Sequence, residues 1–461
     1  MYCNDCRNIS DSGVVAVTMN IKLREDAEAI IQHIIKAVDP ENAIRGLVSR
    51  SDSTLTVGPV SYNLDDYDRI EILAGGKAAC PMARATLGIL DDYAHSGLVC
   101  TKYGHASDLG NIEIIEAAHP VPDENSVICA NRTLEKARSL RENDLAIVLI
   151  SGGASAIWCA PVESVSLEDK RAATSALLAC GADIHEMNCI RKHLSVIKGG
   201  RLAEAAHPAR VISLMLSDVT GDDMTSIASG PTVPDPTTFE NALDIISKHG
   251  IEAKLPHSVI AYLKQGAKNP GMETPKSSDG KFGDDFQLIV GSNSHALNAA
   301  QDIGKSLGYD IEVLKEPLTG EAREAAVFLC DKAKKITKSP SDRPRMIVAG
   351  GETTVTLRGN GRGGRNQEMA LQAALELDGF PNICFVSFGT DGNDGPTDAA
   401  GAVAGSSTVR RAEEMGIDPK DHLRNNDSYN FFKPLNDLVM TGPTGTNVMD
   451  IQLVLIGPNT D

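Results

Sequence analysis

Residues 70–90 read IEILAGGKAACPMARATLGIL. A short run of Ile and Leu stops at Gly75-Gly76, Lys77 follows, and the next residues carry a helical apolar period. The rhythm recurs along the chain in LAIVLISGG, VISLMLSD, FQLIVGSN, RMIVAGGE and ICFVSFGTDG, each run broken by Gly, Ser or Asp and separated by longer helical patterns. Runs apolar on both faces are strands covered by helices on each side, and their alternation with helices implies a parallel sheet with right-handed crossovers. The expected fold class is therefore α/β. In such a sheet the carboxyl ends of the strands share one edge, where ligands bind, so six glycine-rich exits are expected to face one or two shared clefts.

Outward from this stretch, 461 residues exceed one ordinary core and suggest two domains at roughly 100–200 residues each. Residues 1–18 are polar and read as a loose leader; within them Cys3 and Cys6 form a lone CxxC without the second ligand pair that a structural zinc site needs. The first amphipathic helix is expected at about 23–38, ending at Asp39-Pro40. The first domain is placed at 19–265, a linker or surface excursion at 266–285, where the sequence turns polar, and a second α/β domain at 286–461.

The formal charge of −18 gives a long-range field that repels nucleic acid, whereas a few converging cations in a cleft can still hold a small anion. No stretch reaches the ~20 apolar residues that span a bilayer, and no signal peptide is legible. Cys100, Cys129, Cys159 and Cys384 lie inside apolar runs, as small buried hydrophobes do, which suits a reduced cytoplasmic protein.

Several residues could carry chemistry. Gly75 and Gly76 allow close backbone approach, the helix start supplies amides and Lys77 supplies charge, which together make a phosphate grip distinct from the Walker loop. Ser151-Gly152-Gly153-Ala154-Ser155 suits a nest of amides for an anion. Arg191, Lys192, Lys198 and Arg201 crowd a Gly-Gly break, with Lys198 the preferred member. Asp218, at the tip of VISLML, is a candidate cleft carboxylate, as proton acceptor or metal ligand, ahead of Asp222. In the second half, GGETTVTLRGNGRGGRNQE places Glu352, Arg358, Arg362, Arg365 and Asn366 around a glycine-rich turn at a helix start, and Arg365 lies closest to that helix. Asp391, Asp394 and Asp398 follow a buried strand, and the first two could hold Mg²⁺. His119 before Pro120 reads as a turn brace or a substrate contact.

Taken together, GGKAACPMA, HPVPDENS, ISGGASAIW, IRKHLSVIKGGRLA, LSDVTGDDMTSIASGPTVPDPTTF, GGETTVTLRGNGRGGRNQEMAL and GTDGNDGPTDAAGA resemble the class II glycerate kinase family from about residue 20 to the end. The resemblance implies a Rossmann-like N-terminal domain and a smaller C-terminal MOFRL domain flanking an active-site cleft. It also implies ATP-dependent phosphorylation of D-glycerate at the 2-hydroxyl, giving 2-phosphoglycerate and ADP, with Mg²⁺ or another divalent cation. The family lysine of the GKA motif falls on Lys77 and its arginine of GGRNQE on Arg365. On this reading Lys77, Arg365 and Asp218 are catalytic. Gly75, Gly76, Ser151, Gly152, Gly153, Ser155, Lys198, Glu352 and Asn366 bind nucleotide or phosphate, and Asp391 and Asp394 bind metal. A homo-oligomer is left open. The rivals are an NAD(P)H-dependent hydroxypyruvate reductase, against which stands the lack of a GxGxxG with a later acidic residue, and a non-catalytic nucleotide-binding protein.

Overall fold

The computed structural model describes residues 11–93 and 96–459. They form two compact units, one of Pro40–Gly291 and one of the residues up to Asp39 together with those from Ser292 onward.

The first unit opens with an antiparallel meander of β1 (Val48–Ser51), β2 (Thr54–Val57) and β3 (Val60–Asn63). Its main sheet contains β4 (Arg69–Gly75), β5 (Ser96–Lys102), β6 (Glu113–Ala117), β7 (Asp144–Ile150), β8 (Arg210–Leu216) and β9 (Phe286–Gly291), all parallel, in the order β6-β5-β4-β7-β8-β9. The period-2 alternation of side chains builds two cores from these strands. Ile70, Ile72, Ala74, Ile147 and Leu149 pack with the helix Ala79–Leu90 on one face. Leu73, Leu98, Ala146 and Val148 pack with the helices Glu124–Arg138 and Arg201–Ala206 on the other.

The second unit carries β10 (Asp310–Val313), β11 (Arg345–Gly351), β12 (Ile383–Gly389), β13 (Gly401–Gly405), β14 (Leu438–Val439) and β15 (Asp450–Ile456), in the order β10-β11-β15-β12-β13-β14. Only β10 and β11 are parallel here, because β15 runs antiparallel between β11 and β12. Every residue of β12 and β15 is buried, and burial on both faces is compatible with either strand direction.

Three boundaries differ from expectation. The first helix, Asp11–Ala37, belongs to the second unit: Leu23, Ala27, Ile30, Ile31 and Ile34 bury against Ala296, Ala300, Val348 and Leu453. An amphipathic face records that it needs a partner and is silent about which core supplies one. Of the proposed leader, residues 11–18 are already helical, while residues 1–10, with Cys3 and Cys6, lie outside the described residues. The stretch 266–285 is an integral strap of the first unit. Glu273 accepts from His193 Nε2 at 2.8 Å, Thr274 Oγ1 donates to Asp235 at 3.0 Å, and the Pro275 carbonyl accepts from the Asp235 amide at 3.0 Å. The strand that follows it, β9, completes the first sheet instead of opening the second domain.

The eight cysteines among the described residues are free, and seven are buried. No helix among these residues is long and apolar enough to cross a membrane.

Candidate active site

Strand order reverses between β4 and β7, and the loops leaving their carboxyl ends meet at this switch point. The Ser151 amide donates to the Gly75 carbonyl (3.0 Å), the Lys77 amide to the Gly152 carbonyl (2.9 Å) and the Ala78 amide to Ser151 Oγ (3.0 Å). A Cβ at Gly75 would fall 2.5 Å from the Trp158 ring. One at Gly76, whose φ is +128°, would fall 2.2 Å from Ser151 Oγ. These two glycines thus let one loop cross the other, and the Ser151 hydroxyl is spent on holding the crossing. What remains for a ligand is the Lys77 ammonium, which has no hydrogen bond or ion pair among the described residues, and the amides of Gly152 and Gly153, which donate to no acceptor there. A cation beside two free amides is an oxyanion site.

Two titratable groups border it. Asp218, just beyond β8, sits against Gly152, where a Cβ would come within 2.5 Å of Oδ2. Burial pushes its pKa above the ordinary carboxylate value, while the charge of Lys77 draws it back. His119 lies over Gly153, and burial together with the Lys77 charge lowers its pKa to about 4, so the ring is neutral at pH 7. From the sequence, His119 before Pro120 is equally a turn brace or a substrate contact; its place over Gly153 puts it at the border of the oxyanion site. Asp222 has a φ of 56° and acts as the turn former expected of it.

The cationic segment divides. Lys192 is paired with buried Asp235 at 3.2 Å, and Arg201 donates to the carbonyls of Lys192 and Met272. The first amides of the helix Arg201–Ala206 are no anion site, since the amides of Gly200 and Leu202 already donate to the carbonyls of Gly230 and Pro231. Lys198 is buried beside Ser155, whose hydroxyl accepts from its ammonium at 3.3 Å.

In the second unit β11 and β12 end beside the start of β15, where Asp450 faces both Gly351 and Gly389. Arg365 lands there: Nε donates to Asp450 Oδ2 at 2.5 Å, Nη2 to Oδ1 at 2.9 Å, and Nη1 is 3.0 Å from Glu352 Oε1. Burial opposes its charge, but Asp450 and Glu352 hold its pKa above the ordinary arginine value. Asp450 was missed in the sequence; the available signal was a carboxylate heading the mostly apolar strand DIQLVLI.

Other residues of this edge are structural. Asp394 is a buried helix cap, accepting from the amides of Asn366 (3.1 Å) and Gln367 (2.8 Å), with its pKa pushed up to about 6 by burial. It is therefore not available as the metal ligand expected from its spacing. Asn366 is turned inward, accepting from Ser387 Oγ at 2.6 Å, instead of facing a phosphate. The glycine-rich turn is laid on residues 425–428: the Gly359 and Arg362 amides donate to Asn426 Oδ1 and Asp427 Oδ1, and a Cβ at Gly361 would strike Asp427. Its glycines permit backbone packing, and Arg362 stacks on Tyr429 at 4.3 Å. Asp398 accepts from the Tyr429 hydroxyl at 2.7 Å. Asp391 Oδ1 accepts from the Asn393 amide at 3.1 Å. Among the described residues, no three His, Cys, Asp or Glu side chains are gathered as metal ligands.

The fold and these edges define a two-unit α/β protein with a lysine oxyanion site at the switch point of a doubly wound sheet and a carboxylate-held arginine on a second, mixed sheet. Residues 26–264 match the family described as a domain of unknown function (DUF4147), and residues 345–450 match the MOFRL family. A D-glycerate 2-kinase of Thermotoga maritima is 43% identical, over 94% of this chain and 98% of that protein. The crystal structure of a glycerate kinase from the same organism superposes with a TM-score of 0.84 at 41% identity, covering 94% of this chain and 99% of the other. A relative from Agrobacterium vitis, 46% identical over 84% of this chain and 87% of its own, carries a provisional hydroxypyruvate reductase name. The chain belongs to the glycerate kinase family with a C-terminal MOFRL domain.

Proposed function

We propose that this protein transfers the γ-phosphoryl group of ATP to the 2-hydroxyl of D-glycerate, forming 2-phosphoglycerate and ADP in the cytoplasm. The observation that carries the reading is the uncommitted Lys77 ammonium beside the free amides of Gly152 and Gly153, in a chain 43% identical to a D-glycerate 2-kinase. Phosphoryl transfer places charge on the oxygens of the moving group, and catalysis consists mainly of positioning and neutralisation. Lys77 and the two amides hold the transferring phosphoryl. Asp218 accepts the proton of the attacking hydroxyl as the new P–O bond forms and the bond to the ADP oxygen breaks; burial, by raising its pKa, makes it a stronger proton acceptor than an ordinary carboxylate. Arg365, already oriented by Asp450, is the fixed cation that the second unit offers to an anionic substrate group.

A divalent cation fits the Asp391 end of β12. A Cβ at Gly389 would lie 3.2 Å from Asp391 Oδ1 and 3.4 Å from Asp450 Oδ1, so the missing side chain leaves a small oxygen-lined recess. One or two carboxylates are what Mg²⁺ takes from a protein when it arrives with nucleotide phosphates, and when bound it neutralises phosphate charge.

The test is to incubate the protein with ATP, Mg²⁺ and D-glycerate and identify the product by phosphorus NMR. The expected product is 2-phosphoglycerate; 3-phosphoglycerate would overturn the position of transfer, and no phosphorylated acid would overturn the kinase. The Agrobacterium vitis relative's name motivates one parallel assay, NADH oxidation with hydroxypyruvate, for which no turnover is expected.

A further inference from the structure

We infer that Arg191 and Lys198, backed by Lys170, form the subsite that takes the carboxylate of the acceptor hydroxy acid. This rests on the kinase reading for the identity of the acid. The physical case stands on charges that the fold leaves unanswered. Lys198 is 1% exposed, and its ammonium donates only to neutral oxygens, Ser155 Oγ at 3.3 Å and the Ala228 carbonyl at 3.2 Å. Arg191, half-buried, has no hydrogen bond or ion pair among the described residues. Lys170, also buried, donates to the Leu194 carbonyl at 3.4 Å. The neighbouring cations of the segment are answered: Lys192 by Asp235, and Arg201 by two carbonyls.

Burial is the largest influence on Lys198 and lowers its pKa well below the ordinary value; the charges of Arg191 and Lys170 follow, in the same direction. Burial and mutual repulsion disfavour charge on these three side chains, with the Cys159 thiol opposing, and an incoming anion offsets that cost. The backbone is also strained in their favour. Ala228 and Ser229 both take left-handed φ values, 53° and 63°, a conformation unfavourable for residues with a Cβ. That turn presents the Ala228 carbonyl to Lys198 and sets Ser229 Oγ 2.8 Å from Ser155 Oγ and 3.0 Å from Asn188 Oδ1.

The chemistry favours a small hydroxy acid. A guanidinium fork pairs with a planar carboxylate, and Ser155 Oγ, whose proton is committed to Ser229 because Ser229 donates to Asn188, keeps acceptor capacity for an acid's own hydroxyl group. Ser155 is partly buried and lies two residues beyond Gly153, which places it close along the chain to the amides assigned to the phosphoryl group. A nucleotide phosphate already has Lys77 and those amides.

The full-length protein, Arg191→Gln and Lys198→Met are titrated calorimetrically with D-glycerate and with its uncharged amide, with and without ADP, and KM is measured for glycerate and for ATP. Arg191→Gln removes a partly buried group that has no hydrogen bond or ion pair among the described residues, so its fold is expected to survive even if Lys198→Met unfolds. Wild type is expected to bind glycerate and not the amide. Arg191→Gln is expected to weaken glycerate binding and raise KM for glycerate on the order of 10- to 100-fold, leaving KM for ATP within about two-fold. Unchanged glycerate affinity in Arg191→Gln, a rise confined to KM for ATP, equal binding of acid and amide, or no binding of glycerate to wild type would each overturn the subsite. Carboxylate-selective binding lost in Arg191→Gln, in a protein that transfers no phosphate, would support the subsite while sinking the kinase reading.

Discussion

Replacing Arg365 by alanine should destabilise the protein in a way that depends on pH. Asp450 is 1% exposed and receives two hydrogen bonds from the guanidinium, at 2.5 and 2.9 Å. Burial already raises its pKa; Arg365 is the main influence pulling it down, and Glu352 pushes the same way as burial. Without Arg365 the carboxylate at the head of β15 is left buried beside other acidic groups, so its folded pKa climbs further above the unfolded value of about 3.9. A raised folded pKa favours the protonated native state. The penalty is therefore absent where Asp450 is protonated with or without Arg365, grows as pH rises through the wild-type pKa, and levels off above the variant's pKa. Each unit of added shift corresponds to about 1.4 kcal/mol. Breaking a buried pair from one side costs about 3–5 kcal/mol, and the more exposed contact with Glu352 adds little. Urea denaturation followed by circular dichroism at pH 5 and pH 8 measures this. The reasoning fails if the loss at pH 8 is below about 1 kcal/mol, or if the loss is equal at the two pH values.

Lys77→Ala should lower kcat/KM by about 100-fold or more while leaving stability within about 0.5 kcal/mol, because the ammonium makes no hydrogen bond or ion pair among the described residues; comparable activity would remove Lys77 from the mechanism. Gly76→Ala should cost about 3 kcal/mol or more in thermal or chemical unfolding, since its Cβ would press on Ser151 at a φ of +128°; Gly104→Ala, at +78° with open space around it, should cost only about 1 kcal/mol. Asp218→Asn should abolish the acid limb of the kcat profile. In wild type that limb lies above the ordinary carboxylate range, because burial raises the pKa and activity falls as pH drops through it; an unchanged limb in the variant would assign it to another group.

The local rhythm of the chain carried much of the fold. Apolar runs ended by Gly, Ser or Asp marked β4, β7, β8, β9, β11 and β12, since strands covered by helices are made mostly of apolar residues. The same runs could not reveal that β15 enters antiparallel between β11 and β12, because burial on two faces is compatible with either direction. Lys77 and Asp218 were legible because a charged residue at the end of an apolar strand stands out against its surroundings. Asp394 misled for a related reason: an Asp among glycines has the composition of both a cation loop and a helix cap, and only the positions of the Asn366 and Gln367 amides decide between them.

What the sequence by itself determined was the α/β class, the family and the positions of the strand-end charges, all properties of residues close together in the chain. The tertiary structure alone decided which charges are answered. It paired Arg365 with Asp450, 85 positions away, gave Lys192 its Asp235, left Arg191 without a hydrogen bond or ion pair among the described residues, and seated the first helix in the second unit's core. The physical reason is that ion pairing and hydrophobic burial act through space over a few ångströms, and the chain brings such neighbours together only when it folds.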